Sequence, residues 1–185
     1  MPGLKDRNQG CAGPHLRWAN TAGVWPFRCV SARACPKSRR VVVQHGGFEY
    51  GSDYYGDDLP FWTEVETRGG ERRAHLVVHY SLDTNDMRFV QTQGFNTGEH
   101  FFAYLRDAFD ALYVEGDPDG LDRPKMMSIG MHCRVLGKPG RIGSLRRFLD
   151  HVHAHEHVWV TRRIDIARHW RSEHPFTVGD GAAIA

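Results

Sequence analysis

An α/β fold with a mostly parallel sheet is what this sequence predicts, and three observations carry the prediction. Short apolar runs alternate with longer stretches of helical period, the order expected of βα units. The helical stretches are amphipathic, so each has one face to lay against a sheet. The hairpin signals that would mark a sandwich are missing. About four strand-like segments are present, whereas small barrels need roughly eight. The pattern therefore reads as part of a barrel.

The elements follow in order. Residues 1–32 mix Gly, Pro, Cys and Arg with neither period, and an irregular leader outside the fold is expected there. Val41-Val42-Val43 is a short, fully apolar run that predicts a buried strand. It ends at Gly46-Gly47, where a polar and aromatic loop begins, GGFEYGSDYYGDDLPFW. Residues 75–81 (HLVVHYS) predict the next strand.

Asn96, with Glu99 three residues on, predicts a capping box. Behind it Phe101, Phe102, Leu105, Phe109, Leu112 and Tyr113 fall on one helical stripe, and Gly116 supplies a stop. Pro124 separates that helix from a strand over 125–132. Leu145, Phe148, Leu149 and Val152 then mark a second helix, 158–160 another strand, and Ile164, Ala167 and Trp170 a last short helix. The fold is expected to span 33–175, with 176–185 a frayed tail.

Composition narrows the class. A chain of 185 residues with 41% hydrophobic and 25% charged side chains is that of one soluble domain. No run of eighteen apolar residues and no apolar N-terminal stretch occurs, so a cytoplasmic protein is expected, with no membrane partner. Cys11, Cys29, Cys35 and Cys133 lack C-x-x-C spacing, which argues against a zinc ribbon and for reduced thiols. Residues 1–40 hold eight basic side chains against Asp6, a net +7 in a chain of net +2, so the remainder carries −5. A nucleic-acid arm is one reading of that asymmetry. Few aromatics (Trp18, Trp25, Phe27) and no binding motif accompany it, so no nucleic-acid partner is expected.

Chemistry concentrates in three places. In the segment KMMSIGMH, alternation puts Met127, Ile129 and Met131 on one face and Met126, Ser128, Gly130 and His132 on the other. A polar residue at the C-terminal end of a barrel strand lies at the active-site mouth, which makes His132 a catalytic candidate. The plain alternative is a histidine that ends a strand and bonds a nearby carbonyl. The loop after Val43 interleaves Asp53, Asp57 and Asp58 with Tyr54, Tyr55, Phe61 and Trp62. Rings that supply area and acids that orient donors suit a small polar ligand, although an acidic solvated loop has the same composition. His151, His153, His155 and His157 would make i, i+4 pairs on a helix, as zinc sites do. Their place at a helix C-terminus equally suits cationic side chains facing the helix dipole, and that structural reading is preferred, with no metal ligand assigned.

The stretches GGFEYGSDYYGDDLPFW, YSLDTNDMRF, GFNTGEHFFAYLRDAFDALYVEG, PKMMSIGMHCRVLGKPGR and VWVTRRIDIARHW resemble the C-terminal half of the allantoinases of purine degradation, members of the polysaccharide-deacetylase superfamily. The resemblance runs from about Arg33 to Pro175. It implies the C-terminal half of a distorted (β/α) barrel, homo-oligomeric in that family, that hydrolyses a carbon–nitrogen amide bond of a small-molecule substrate. In the allantoinases that bond belongs to the hydantoin ring of allantoin; in the deacetylases it belongs to an N-acetyl sugar. Ile129-Gly130-Met131-His132 matches the allantoinase form of the last motif, whereas the sugar deacetylases usually carry Leu two before the histidine. By resemblance His132 protonates the leaving nitrogen or binds substrate as a general acid, and Arg33, Asp53, Asp57, Asp58 and Trp62 bind substrate.

Upstream of Arg33 the family's Gly-Trp-Tyr-Thr-Gly is replaced by Cys29-Val30-Ser31-Ala32, and the family's N-terminal half has no counterpart. That half supplies the general base and, in metal-dependent deacetylases, the metal ligands. A truncated or shifted reading frame is the expectation, to be tested in the neighbouring frames. No cofactor is expected from this chain itself, with a divalent metal allowed on the deacetylase reading. Three functions stay open: an allantoinase-like hydrolase, an N-acetyl-sugar deacetylase, and a catalytically inactive fragment. A partial barrel exposes edges and apolar faces, so poor solubility in isolation is expected.

Overall fold

The computed structural model describes residues 29–30, 36–56 and 58–179. They divide into two compact units, one made of the chain up to His79 with the part from Thr161 onward, the other of Tyr80–Val160.

The first unit holds a four-stranded sheet in the order β1-β2-β4-β3, with β1 Cys29–Val30, β2 Tyr50–Gly51, β3 Phe61–Glu66 and β4 Arg72–Val77. The β1–β2 and β2–β4 pairs are parallel and β3–β4 antiparallel, so the sheet is mixed rather than mostly parallel. The hairpin that the sequence pattern did not reveal closes on Thr67-Arg68-Gly69-Gly70-Glu71. The Thr67 N–H donates to the Glu71 carbonyl at 2.8 Å, and Gly70 takes φ +78°, open to glycine at no steric cost. Its register runs from Phe61↔Val77 to Glu66↔Arg72. Leu76, Val77 and Val78 are fully buried, which is why this apolar run is the centre of the sheet. The parallel neighbour β1 falls within the stretch expected to be a leader.

Val41-Val42-Val43 does not form the predicted strand. It lies inside helix α1, Pro36–His45. A triad of valines is too short to reveal its period, and its surroundings decide. Proline suits the first helical turn, and Gly46 and Gly47, at φ +71° and +80°, end the helix, with the Gly46 N–H returning to the Val42 carbonyl. Only Val42 of the three is buried; Val41 is exposed. Helix α5, Arg163–Glu173, completes this unit and matches the predicted last helix.

The second unit is built on helices α2, Gly98–Gly116, and α4, Pro139–His153, with the single turn α3, Cys133–Leu136, between them. The predicted stripes meet: Phe101, Leu105 and Phe109 of α2 pack with Phe148 and Val152 of α4, around Phe95 and Leu136. Each such side chain contributes about 1.5–3 kcal/mol on burial. The N-cap of α2 is Thr97 rather than Asn96; its hydroxyl accepts the His100 N–H, and Glu99 turns outward to Arg147 at 2.7 Å. Two further predicted strands, 125–132 and 158–160, form no ladder among the described residues. The first makes one parallel bridge, Asn85↔Gly130. In the second, Trp159 and Val160 are exposed. The alternation predicted for 125–132 holds as far as Gly130: Met126, Ser128 and Gly130 are buried and Met127 and Ile129 pack on the helical core, whereas Met131, expected on the packing face, is exposed.

Candidate active site

His132 stands where the extended segment turns into α3, as the N-cap residue at φ −118°, ψ 119°. Its partner is Asp86, which opens a 3-10 turn, Asp86–Val90, and has no exposed surface. The ring Nδ1–H of His132 donates to Asp86 Oδ1 at 2.6 Å, and the His132 backbone N–H donates to Oδ2 at 2.7 Å. The Leu136 N–H reaches the same Oδ2 at 3.1 Å. Three donors on one carboxylate satisfy a buried charge that would otherwise be costly. Because a carboxylate only accepts, Nδ1 carries the proton and Nε2 is the free ring nitrogen. The His132 side chain is one-third exposed (32%).

The floor of this arrangement is the Asn85↔Gly130 bridge. The Asp86 N–H donates to the Gly130 carbonyl and the Gly130 N–H to the Thr84 carbonyl, both at 3.0 Å. The Asn85 amide donates to the Tyr80 hydroxyl at 2.8 Å, and its oxygen accepts the Met87 N–H. A Cβ at Gly130 would stand 2.4 Å from Asn85 Nδ2 and 2.5 Å from the Tyr80 oxygen. Only glycine lets the segment approach this closely.

In the first unit a second polar group is buried. Arg39 donates from Nε to Asp53 Oδ2 at 2.9 Å and pairs with the same oxygen through Nη2. Asp53 Oδ1 has no hydrogen-bond partner among the described residues. His75 lies close by, its Nε2 only 2.6 Å from where a Cβ on Gly51 would be. Burial pulls the His75 pKa down to about 4; Asp53 opposes this, while Arg39 and Arg171 reinforce it.

No family model matches the chain. A protein of Schizosaccharomyces pombe named as a polysaccharide deacetylase is 40% identical over 170 residues, 87% of this chain and 52% of that protein. Crystal structures of a Pseudomonas aeruginosa protein named as a polysaccharide deacetylase and of PuuE allantoinase each match at 55% identity and a TM-score of 0.69, covering 77% of this chain and 45% of theirs. The chain is thus similar to proteins of the polysaccharide-deacetylase superfamily and shares their fold over about half of their length. A third match, to a Mycobacterium smegmatis structure at 23% identity and a TM-score of 0.67, shows the same fold. The chain spans about half the length of these relatives.

Within this superfamily fold, the residues singled out in sequence are distributed as follows. His132 is in one compact unit; Asp53, Asp58 and Trp62 are in the other. Asp53 is buried against Arg39, Asp58 is exposed, and Arg33 and Asp57 lie outside the described residues. Trp62 anchors the C-terminal segment: its indole N–H donates to the His174 carbonyl at 2.7 Å, its ring meets Phe176 edge-on, and the Arg171 guanidinium sits 4.8 Å over it. Sequence reasoning missed Asp86, Asn85, Arg39 and His75. Asp86 and Asn85 sit in the quoted YSLDTNDMRF stretch, and a signal existed: an Asn-Asp pair four residues past a strand-like run that ends at Ser81, at a position where loops carry site residues.

Both Asp86 oxygens are engaged by N–H donors, so the His132 pair is not a ligand set for a metal. Among the described residues, the group with ligand atoms close enough to share an ion is Asp110, His151 and His155, which includes neither member of that pair.

Proposed function

We propose that this chain supplies the histidine half of a hydrolytic site that opens a cyclic amide, the hydantoin ring of allantoin, as the allantoinases it resembles do. The observation that carries the reading is the His132–Asp86 pair. With Nδ1 held by Asp86, proton traffic is confined to Nε2. Water adds to the ring carbonyl, the tetrahedral carbon collapses, and the C–N bond breaks with its electron pair passing to nitrogen. Nε2, bare at the start, first takes a proton from solvent. The imidazolium so formed, stabilised by the Asp86 carboxylate, gives that proton to the leaving nitrogen. The proton lost by the added water passes to the base that the family's N-terminal half supplies. No step is routed through a metal.

The choice of a hydantoin over an N-acetyl sugar draws support from Gly130. The sugar deacetylases usually carry Leu at this place, and here the Asn85 amide and Tyr80 hydroxyl occupy the space a side chain would need. Likeness to PuuE allantoinase at 55% identity supports the same reading. The second reading, deacetylation of N-acetyl sugars, is favoured by likeness to the fission-yeast and Pseudomonas proteins named for that activity. The substrate is then a small molecule on either reading, and a homo-oligomeric assembly goes with the allantoinase one.

The test is an assay of the chain, alone and mixed with the N-terminal half of PuuE allantoinase, against allantoin and against chitin oligomers, with and without chelator. Allantoate release, indifferent to chelator and lost in His132→Gln, is the expected result. Acetate release that needs metal supports the sugar reading instead. Neither product under any condition leaves an inactive fragment.

A further inference from the structure

Three side chains far along the sequence from His132 form a group that the hydrolytic reading does not use. Asp110 is on α2, His151 is in the last turn of α4, and His155 lies just beyond it, after the Ala154 C-cap. Their potential ligand atoms all lie within 4.8 Å of one another. We propose that Asp110, His151 and His155 form a binding site for a first-row divalent metal, with Zn²⁺ the ion the donor set fits best.

Donor chemistry comes first. Two imidazoles and a carboxylate are the nitrogen–oxygen set that Zn²⁺ takes with three protein ligands and one open position. The His155 Nδ1–H donates to the His151 carbonyl at 2.8 Å, which fixes that ring and leaves Nε2 as its free nitrogen. A ligating histidine is usually oriented in just this way, by a hydrogen bond from its other ring nitrogen. His151 Nε2–H now donates to Asp110 Oδ1 at 2.6 Å. An ion entering between them takes the place of that single proton, which leaves to solvent, and both atoms become ligands.

The surroundings hold the group in place. The rings of His151 and His155 meet at 4.7 Å, and Phe109 stands edge-on to both, at 5.6 and 5.1 Å. Tyr113 meets His155 at 4.8 Å, and its hydroxyl donates to the Glu156 carbonyl, tying the turn that carries His155 back to α2. The α4 C-terminus also directs carbonyl dipoles at this corner, a field that favours a cation. His151 is three-quarters buried, while Asp110 is 45% exposed and leaves the fourth position to water. An ion here would clip α2 to the end of α4.

The experiment uses the untagged 185-residue chain. One equivalent of Co²⁺ should give the intense visible absorption of four-coordinate cobalt, and Zn²⁺ should displace it. His151→Gln and His155→Gln, each checked for folding by circular dichroism, should abolish the band, and Asp110→Asn should weaken binding at least tenfold. His153→Gln and His132→Gln should leave it unchanged. Should a variant not fold, histidine ¹⁵N shifts of the wild-type chain decide: equimolar Zn²⁺ should move His151 and His155 and leave His132 in place. Absence of the band at stoichiometric metal, its survival in a folded His151→Gln/His155→Gln chain, or a response at His132 instead would overturn the proposal.

Discussion

Asp86 and His132 are joined twice, once through the ring and once through the backbone, by bonds of 2.6 and 2.7 Å to the two oxygens of a carboxylate with no exposed surface. The double attachment fixes the tautomer of the imidazole and the direction of its free nitrogen together. Asp86→Asn keeps the shape but puts an amide N–H₂ against one of three N–H donors. A loss of about 2–4 kcal/mol in stability is expected, with hydrolysis reduced about 10³–10⁴-fold by analogy with other histidine–carboxylate pairs. Histidine ¹⁵N spectra provide the independent check: the His132 Nδ1–H form should dominate in the wild type and lose its dominance in the variant. A variant that keeps the wild-type tautomer would remove Asp86 from the role.

Gly130 gives a steric prediction. Gly130→Ala drives a methyl group into Asn85 and Tyr80, both held by hydrogen bonds, and should cost about 1–3 kcal/mol. Gly143, inside α4, has nothing within 4 Å of a new Cβ, so Gly143→Ala should stabilise by about 0.5–1 kcal/mol. Urea denaturation of the two variants should move the midpoint in opposite directions. Shifts of the same sign would count against the close packing at Gly130.

His75 makes stability depend on pH. Above about pH 6.5 its ring is neutral in the folded and unfolded chain alike. Between 6.5 and about 4 the unfolded chain binds a proton that the folded chain refuses, so stability falls as pH falls. Below about 4 both forms carry it and the loss is complete. The whole effect amounts to about 3 kcal/mol. Denaturation midpoints of the wild type and of His75→Asn, compared at pH 7 and 4.5, isolate it. Equal falls in the two chains would mean that other groups are responsible.

Arg39 and Asp53 should act as a unit. Arg39→Met strands a buried carboxylate whose other oxygen already lacks a partner, at a cost of about 3–5 kcal/mol. Adding Asp53→Asn to that variant should recover part of the loss, since no charge is then left unpaired. The coupling from a double-mutant cycle should reach about 1–3 kcal/mol. Strict additivity would show that the pair contributes nothing as a pair.

The sequence determined the amphipathic helices and the candidate histidine. Phe101, Leu105, Phe109, Phe148 and Val152 announce their packing because period 3.6 is a local property, repeated over enough residues to be unambiguous. His132 could be placed at the end of an extended segment for the same reason, with Gly130 already marked as small. What tertiary structure decided was everything that depends on a neighbour. Val41–Val43 became helix because three valines carry no period and the flanking Pro36 and Gly46-Gly47 set the bounds. Segments 125–132 and 158–160 form no ladder among the described residues, since pairing needs a partner strand and not only a propensity. Asp86 gained its role from a residue 46 positions away, and Asp110 joined His151 and His155 only when α2 packed on α4. Spacing along the chain could pair those two histidines; the carboxylate that completes the group had to come through the fold.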